Sequence, residues 1–143
     1  MSTATRSALT GRPYEELDNA YRFRTLTGKK VLLAVGTRPY RPSDVDFSHP
    51  RVKDSDTILS LDHTPDSITI YGAGVVGCEY ATIFANFGHT RVSLIDRQPR
   101  ILPFEDADVA EAVSHNFERI GIRIHRESSL RSLEARGGGV RYV

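Results

Sequence analysis

Apolar residues follow two rhythms along this chain, and the change between them is sharpest from Ser67 to Asp96. Ile68 to Tyr71 form a short apolar run of strand type, and Val92 to Ile95 form another. Between them Val76, Tyr80, Ile83, Phe84 and Phe87 recur at helical spacing, with Gly88 as a stop signal. The pattern predicts a strand, a helix over Val75 to Phe87 and a second strand ending on Asp96. Further on, Val109, Val113, Phe117 and Ile120 make the apolar stripe of a second helix, with Glu105, Asp106 and Asp108 at its start and Gly121 at its end. Ile122 to Ile124 alternates as a third strand and Leu130 to Leu133 as a fourth. Gly137 to Gly139 then turns the chain into Val140 to Val143, the second arm of a hairpin.

Upstream the rhythm is weaker. Met1 to about Asn19 is polar and reads as a loose arm. Tyr21, Phe23 and Thr25 alternate with Arg22 and Arg24; Gly28-Lys29 intervenes before Val31 to Val35, so a hairpin with a buried second strand is expected. From Gly36 to Lys53 the chain carries Pro39, Pro42 and Pro50 and reads as a linker. Asp54-Ser55-Asp56 offers caps for a short helix over Thr57 to Leu61, and Thr64-Pro65-Asp66 turns the chain into the strand at Ile68.

At 143 residues the chain is long enough to bury a real core. Nineteen basic against 18 acidic residues leave a net charge of +1, and no stretch concentrates basic residues with interleaved aromatics as a nucleic-acid face would need, so neither nucleic acid nor an anionic membrane is an expected partner. The N-terminus lacks the apolar core of a signal peptide and no apolar run is of membrane-spanning length, which points to a cytoplasmic protein. A single cysteine, Cys78, rules out an internal disulfide and a Cys-x-x-Cys redox pair; it is expected as a packing residue. The five histidines have no ligand spacing, so no metal site is expected, and the acids at 105, 106 and 108 read as helix-start charges.

The chemistry lies where strand gives way to helix. Gly72-Ala73-Gly74-Val75-Val76-Gly77 is a G-x-G-x-x-G turn with an apolar strand before it, a helix after it and an acid, Asp96, about 20 residues on. Gly72 suits a tight turn, Gly74 lacks the Cβ that would keep backbone from a pyrophosphate, and Gly77 permits close helix-strand packing. The amides from Ala73 to Val76 and the positive end of the helix would then hold the phosphates. Asp96 can bond the adenosine ribose hydroxyls. Arg97 and Arg100 can instead pair a 2′-phosphate. The expectation is a site for NAD(P), in which loss of Asp96 harms NAD(H) selectively. The fold class is α/β: a Rossmann-like open parallel sheet with flanking helices and a partial antiparallel hairpin. Residues 1–30 are expected to form an arm and strand, 31–66 a linker with a short helix, and 67–143 the NAD(P)-binding domain.

Three stretches, Leu33-Ala34-Val35-Gly36-Thr37-Arg38-Pro39-Tyr40-Arg41-Pro42, Asp54 to Leu61, and Tyr71 to Ala81, resemble the pyridine-nucleotide-disulfide flavoprotein oxidoreductases, and among them the soluble pyridine nucleotide transhydrogenases. The resemblance implies that Ala34-Val35-Gly36 lies where a flavin domain hands over to the nicotinamide-cofactor domain. It also implies that Glu79 lies near the nicotinamide and flavin rings. Complete members carry an FAD domain with its own glycine fingerprint and a C-terminal dimerisation domain, and would be homo-oligomers. Only one G-x-G-x-x-G occurs here, so the chain is expected to be a fragment or truncated reading frame, without bound FAD and inactive alone. Two other readings stand beside the transhydrogenase: the same segment of a dihydrolipoyl dehydrogenase or NAD(P)H oxidase, and a free-standing nucleotide-binding module.

Overall fold

The computed structural model describes residues 16–17, 20–21, 27–136 and 138–143. The chain divides into two compact units, residues 1–38 and 39–143.

In the first unit β1 (Glu16–Leu17) and β2 (Ala20–Tyr21) pair antiparallel. The expected hairpin is thus replaced. Tyr21 pairs with Glu16 and not with the Val31 to Val35 run, which forms no strand and is exposed, from 75% at Val31 to 90% at Leu32 and Val35. An apolar run becomes a strand only where another strand satisfies its backbone, and none among the described residues does so here. Phe23, Thr25 and most of the expected arm lie outside the described residues.

The second unit is built on a parallel sheet in the order β3 (Ser67–Tyr71), β4 (Arg91–Ile95), β5 (Arg123–His125). Helix α1 (Val75–Asn86) links the first pair and α2 (Ala107–Arg119) the second, so the expected α/β architecture is present. The central strand β4 buries Val92, Leu94 and Ile95, and the core adds Phe84, Ile101, Phe117 and Ile122. Gly88 and Gly121 take φ of 80° and 88° just past the two helices, the left-handed end that glycine permits. β6 (Leu133–Arg136) and β7 (Gly139–Tyr142) form the hairpin, with Leu133 opposite Tyr142. Its first arm begins at Leu133 and not at Leu130, because pairing with β7 sets the register. Tyr142 receives a hydrogen bond from the Thr69 hydroxyl at 3.1 Å, which ties the hairpin to β3.

The expected helix faces hold in part: Tyr80 and Phe84 on α1, and Val113 and Phe117 on α2 with Ile120 at its end, meet the core as expected, and small residues beside them take the rest of each inner face. α1 buries Cys78, Ala81 and Phe84, while Val76, Ile83 and Phe87 are about half exposed; α2 buries Ala110, Ser114 and Phe117, with Val109 outside. Small side chains face the sheet because the helices lie close to it, and bulk at those positions would lift them away. The buried Ser114 hydroxyl donates to the Ala110 carbonyl at 3.0 Å, which satisfies it within the helix.

The stretch expected as a linker is tied into this unit. Asp54 is the cap for the 3-10 turn Thr57–Ser60: its Oδ1 accepts the Thr57 amide at 2.8 Å and the Asp56 amide at 3.1 Å. Ile58 and Leu61 pack on the core, the Tyr80 hydroxyl donates to the Ser55 carbonyl at 2.7 Å, and the Thr90 hydroxyl donates to the Pro65 carbonyl at 2.7 Å.

Candidate nucleotide-binding site

The turn after β3 is shaped by glycines that serve different ends. Gly72 has φ of 113°, a conformation closed to other residues, and its amide extends the sheet by donating to the Ile95 carbonyl at 2.8 Å. A Cβ on Gly77 would stand 1.9 Å from the Gly72 carbonyl oxygen, so α1 rests directly on the turn. Gly74 is different. Its φ is −74° and a Cβ there would meet nothing within 4 Å, so neither backbone strain nor packing demands a glycine. What its small size does is leave open the space in front of α1. The amides of Gly74, Val75 and Val76 find no acceptor among the described residues, as expected for a helix start, and no acid lies in the first turn to oppose the dipole. Open amides at the positive end of a helix are the arrangement that attracts an anionic group.

Asp96 follows β4 and faces the same turn. Its Oδ2 accepts the Ala73 amide at 2.5 Å and its Oδ1 accepts the Gln98 amide at 2.8 Å. Ala73 therefore departs from expectation: fully buried, it spends its N–H on Asp96, and the open amides begin one residue later. The two arginines also separate. Arg97 is exposed and its guanidinium has no partner among the described residues, whereas one Nη of Arg100 donates to the Pro103 carbonyl at 3.2 Å and the Glu105 carbonyl at 3.3 Å. Arg100 closes its own loop. Glu79 stands exposed on α1.

Cys78 is buried and its Sγ donates to the Ala73 carbonyl at 3.5 Å. Burial, reinforced by the negative charge of Asp96, pushes its thiol up to about 11, so it is an unreactive packing group. Leu102 was not singled out by the sequence. It takes φ of 48°, and its amide donates to the Ala73 carbonyl at 2.8 Å beside the fully buried Ile101. The apolar run Ile101-Leu102-Pro103-Phe104 in the crossover was the available signal. Among the described residues no cluster of three or more potential ligands could hold a metal. A cavity of about 340 Å³ lies elsewhere, between the 3-10 turn and the outer face of α1, with Leu61, Tyr80 and Phe87 in its walls; no residue of the glycine turn lines it.

The chain belongs to the pyridine nucleotide-disulphide oxidoreductase family, whose sequence model matches residues 9–143. It is 46% identical over 115 residues to the soluble pyridine nucleotide transhydrogenase of Pseudomonas putida strain GB-1, a match covering 80% of this chain and 25% of that protein. The corresponding protein of Ectopseudomonas mendocina strain ymp is 47% identical over 115 residues, with the same coverage of 80% and 25%. The chain thus spans a quarter, 25%, of the length of these relatives. Among solved structures, the HOCl-induced flavoprotein disulfide reductase of Escherichia coli superposes with a TM-score of 0.70 at 26% identity, covering 77% of this chain and 25% of the other. The water-forming NADH oxidase of Lactobacillus brevis bound to NADH shares the fold, with a TM-score of 0.66 at 22% identity over 88% of this chain and 29% of the other. The architecture is therefore the Rossmann-type α/β fold of flavoprotein reductases. No helix among the described residues is long and apolar enough to cross a membrane.

Proposed function

We propose that residues 67–143 form the NAD(P)-binding portion of a flavin-dependent soluble pyridine nucleotide transhydrogenase. In a protein of the relatives' length, hydride would pass between NADPH and NAD by way of FAD. The observation that carries the reading is the open space at Gly74 in front of three unpaired amides, beside a strand-end acid. The pyrophosphate is assigned to the amides of Gly74, Val75 and Val76, with Gly72 and Gly77 shaping the turn and Ala73 buried beneath it. The adenosine ribose is assigned to the side of Asp96, and a 2′-phosphate to Arg97. The family likeness assigns Glu79 to the neighbourhood of the nicotinamide and flavin rings. The dinucleotide supplies the hydride chemistry; this chain's residues bind and orient it. The complete protein is read as a cytoplasmic homo-oligomer holding FAD, with neither nucleic acid nor membrane as partner.

A transhydrogenase must accept both nicotinamide cofactors, and an acid followed by an unpaired arginine is suited to that. Titrating the chain with NADH and with NADPH, followed by nucleotide fluorescence, is expected to give saturable binding of both, within about tenfold of each other, or about 1.4 kcal/mol. Discrimination of a thousandfold would refute dual acceptance. Saturable binding of neither would refute the nucleotide reading.

A further inference from the structure

The Ala73 peptide sits between two glycines, so nothing in the side chains at 72 and 74 resists its rotation. Yet its orientation decides which way the following amides point. Three contacts from outside the turn hold the two peptides that meet at Ala73: in the Gly72–Ala73 peptide the Ala73 N–H donates to Asp96 Oδ2 at 2.5 Å, and in the Ala73–Gly74 peptide the carbonyl accepts the Leu102 amide at 2.8 Å and the Cys78 thiol at 3.5 Å. Two of these come from the segment after β4. Leu102 is kept in a left-handed conformation that is costly for a residue with a side chain, and Ile101, fully buried beside it, anchors the loop. For the preceding peptide, Gly72–Ala73, Asp96 provides the charged acceptor.

Resting on the nucleotide-binding reading above, we propose that Asp96 is a positioning residue for the phosphate cradle as well as a neighbour of the ribose: its carboxylate fixes the Gly72–Ala73 peptide while Leu102 fixes the next one, and together they set the backbone of Ala73 so that the amides of Gly74, Val75 and Val76 face the ligand. Without it the Ala73 N–H is a fully buried donor with no acceptor, and the peptide turns to find one. A residue that only read the ribose would distinguish cofactors. Its removal would weaken NADH and, by taking away a negative charge, tighten NADPH. A brace for the turn has the opposite signature, because every ligand with a pyrophosphate loses the same preorganised amides.

The test titrates the full 143-residue chain, native and Asp96→Ala, with NADH, NADPH and 2′-deoxy-ADP in a calorimeter. The brace predicts that all three ligands weaken: 2′-deoxy-ADP by about tenfold through the turn alone, NADH by more because it also loses its ribose neighbour, and NADPH by less because a negative charge beside its phosphate is removed. Tighter or unchanged NADPH binding, or unchanged binding of 2′-deoxy-ADP, overturns it. Should Asp96→Ala fail to fold, Asp96→Asn retains one carbonyl acceptor and is expected to weaken 2′-deoxy-ADP by about threefold. Loss confined to NADH in that variant, with 2′-deoxy-ADP unchanged, overturns the proposal too. Hydrogen exchange of the Ala73 amide, followed by NMR in the unliganded chain, reads the brace without any ligand. The amide is expected to be protected in the native chain and to exchange at least about tenfold faster in Asp96→Ala; equal exchange overturns the brace. A native chain with a protected Ala73 amide but no affinity for nucleotide would refute the functional reading and leave the brace standing.

Discussion

The two segments that meet at the carboxyl end of the sheet are made rigid in opposite ways. The turn from Gly72 to Gly77 is shaped by what its residues lack: a Cβ at 72 would be strained at φ of 113°, and one at 77 would collide with backbone. The crossover from Asp96 to Asp106 is shaped by what its residues carry. Asp96 takes two amides, Arg100 takes two carbonyls, and Ile101 is buried. The first kind of order is written in a motif of six residues, and the second only in contacts. Neither segment is complete alone, since the glycine turn depends on the crossover for the orientation of its Ala73 peptide.

Substitution at Gly77 should break the comparison most severely. Gly77→Ala places a methyl 1.9 Å from a backbone oxygen that cannot swing aside, and α1 must move off β3. Overpacking of about 3 kcal/mol would lower the thermal midpoint by roughly 10 °C. Circular dichroism melts measure this directly, and an unchanged midpoint would show that the close approach is not real. The arginines sharpen the comparison at smaller scale. Arg97→Ala should weaken NADPH by about tenfold while NADH stays within about twofold, because a single charge-assisted contact is lost. Arg100→Ala should affect both cofactors to the same small extent, through a loosened loop. A selective effect at Arg100 and none at Arg97 in parallel titrations would reverse these assignments.

The three parallel strands, both helices and the glycine turn were legible because short-range pattern determines them: Ile68 to Tyr71, Val92 to Ile95 and the helical runs each meet their period. Which helix face turns inward was legible only in part. Val76, Ile83 and Phe87 satisfy the apolar stripe of α1, but close approach at Gly77 turns the small Cys78 and Ala81 to the sheet. The Val31 to Val35 run shows the same limit from the other side. Its composition is that of a buried strand, yet burial and pairing depend on distant partners that a local reading does not contain. At the site, the glycines and Asp96 could be picked out by spacing. The Ala73 to Asp96 bond, the Leu102 contact and the inward turn of Arg100 could not, since each joins backbone to a residue whose position depends on the whole fold.

Two smaller effects concern protonation. Hydrogen bonds from the Thr57 amide and hydroxyl, helped by Arg41 at 2.6 Å, hold the Asp54 carboxyl well below the usual carboxylate range. A pKa lowered by folding contributes stability above the unfolded value and loses it as pH falls, so the native chain should melt above Asp54→Asn at pH 7. That gap should narrow progressively below about pH 4, and a gap independent of pH would contradict the cap. Cys78 runs the other way. Its raised value of about 11 favours the thiol, so its contribution is full below about pH 9 and is lost as pH climbs through the folded value. Iodoacetamide at pH 8 should therefore leave Cys78 largely unmodified in the native chain and label it readily in urea; rapid labelling of the folded chain would contradict its packing role.

Gly74 offers the most direct trial of the nucleotide-binding account, because its neighbourhood separates ligand from fold. A Cβ there meets no atom beyond its chain neighbours within 4 Å, so Gly74→Val should melt within a few degrees of the native chain. The same side chain occupies the space assigned to the pyrophosphate. Calorimetric titration with NADH is expected to show saturable binding to the native chain and a loss of more than about tenfold in Gly74→Val, over 1.4 kcal/mol, from lost hydrogen bonds and steric exclusion. Equal affinity in the two folded proteins would contradict the account.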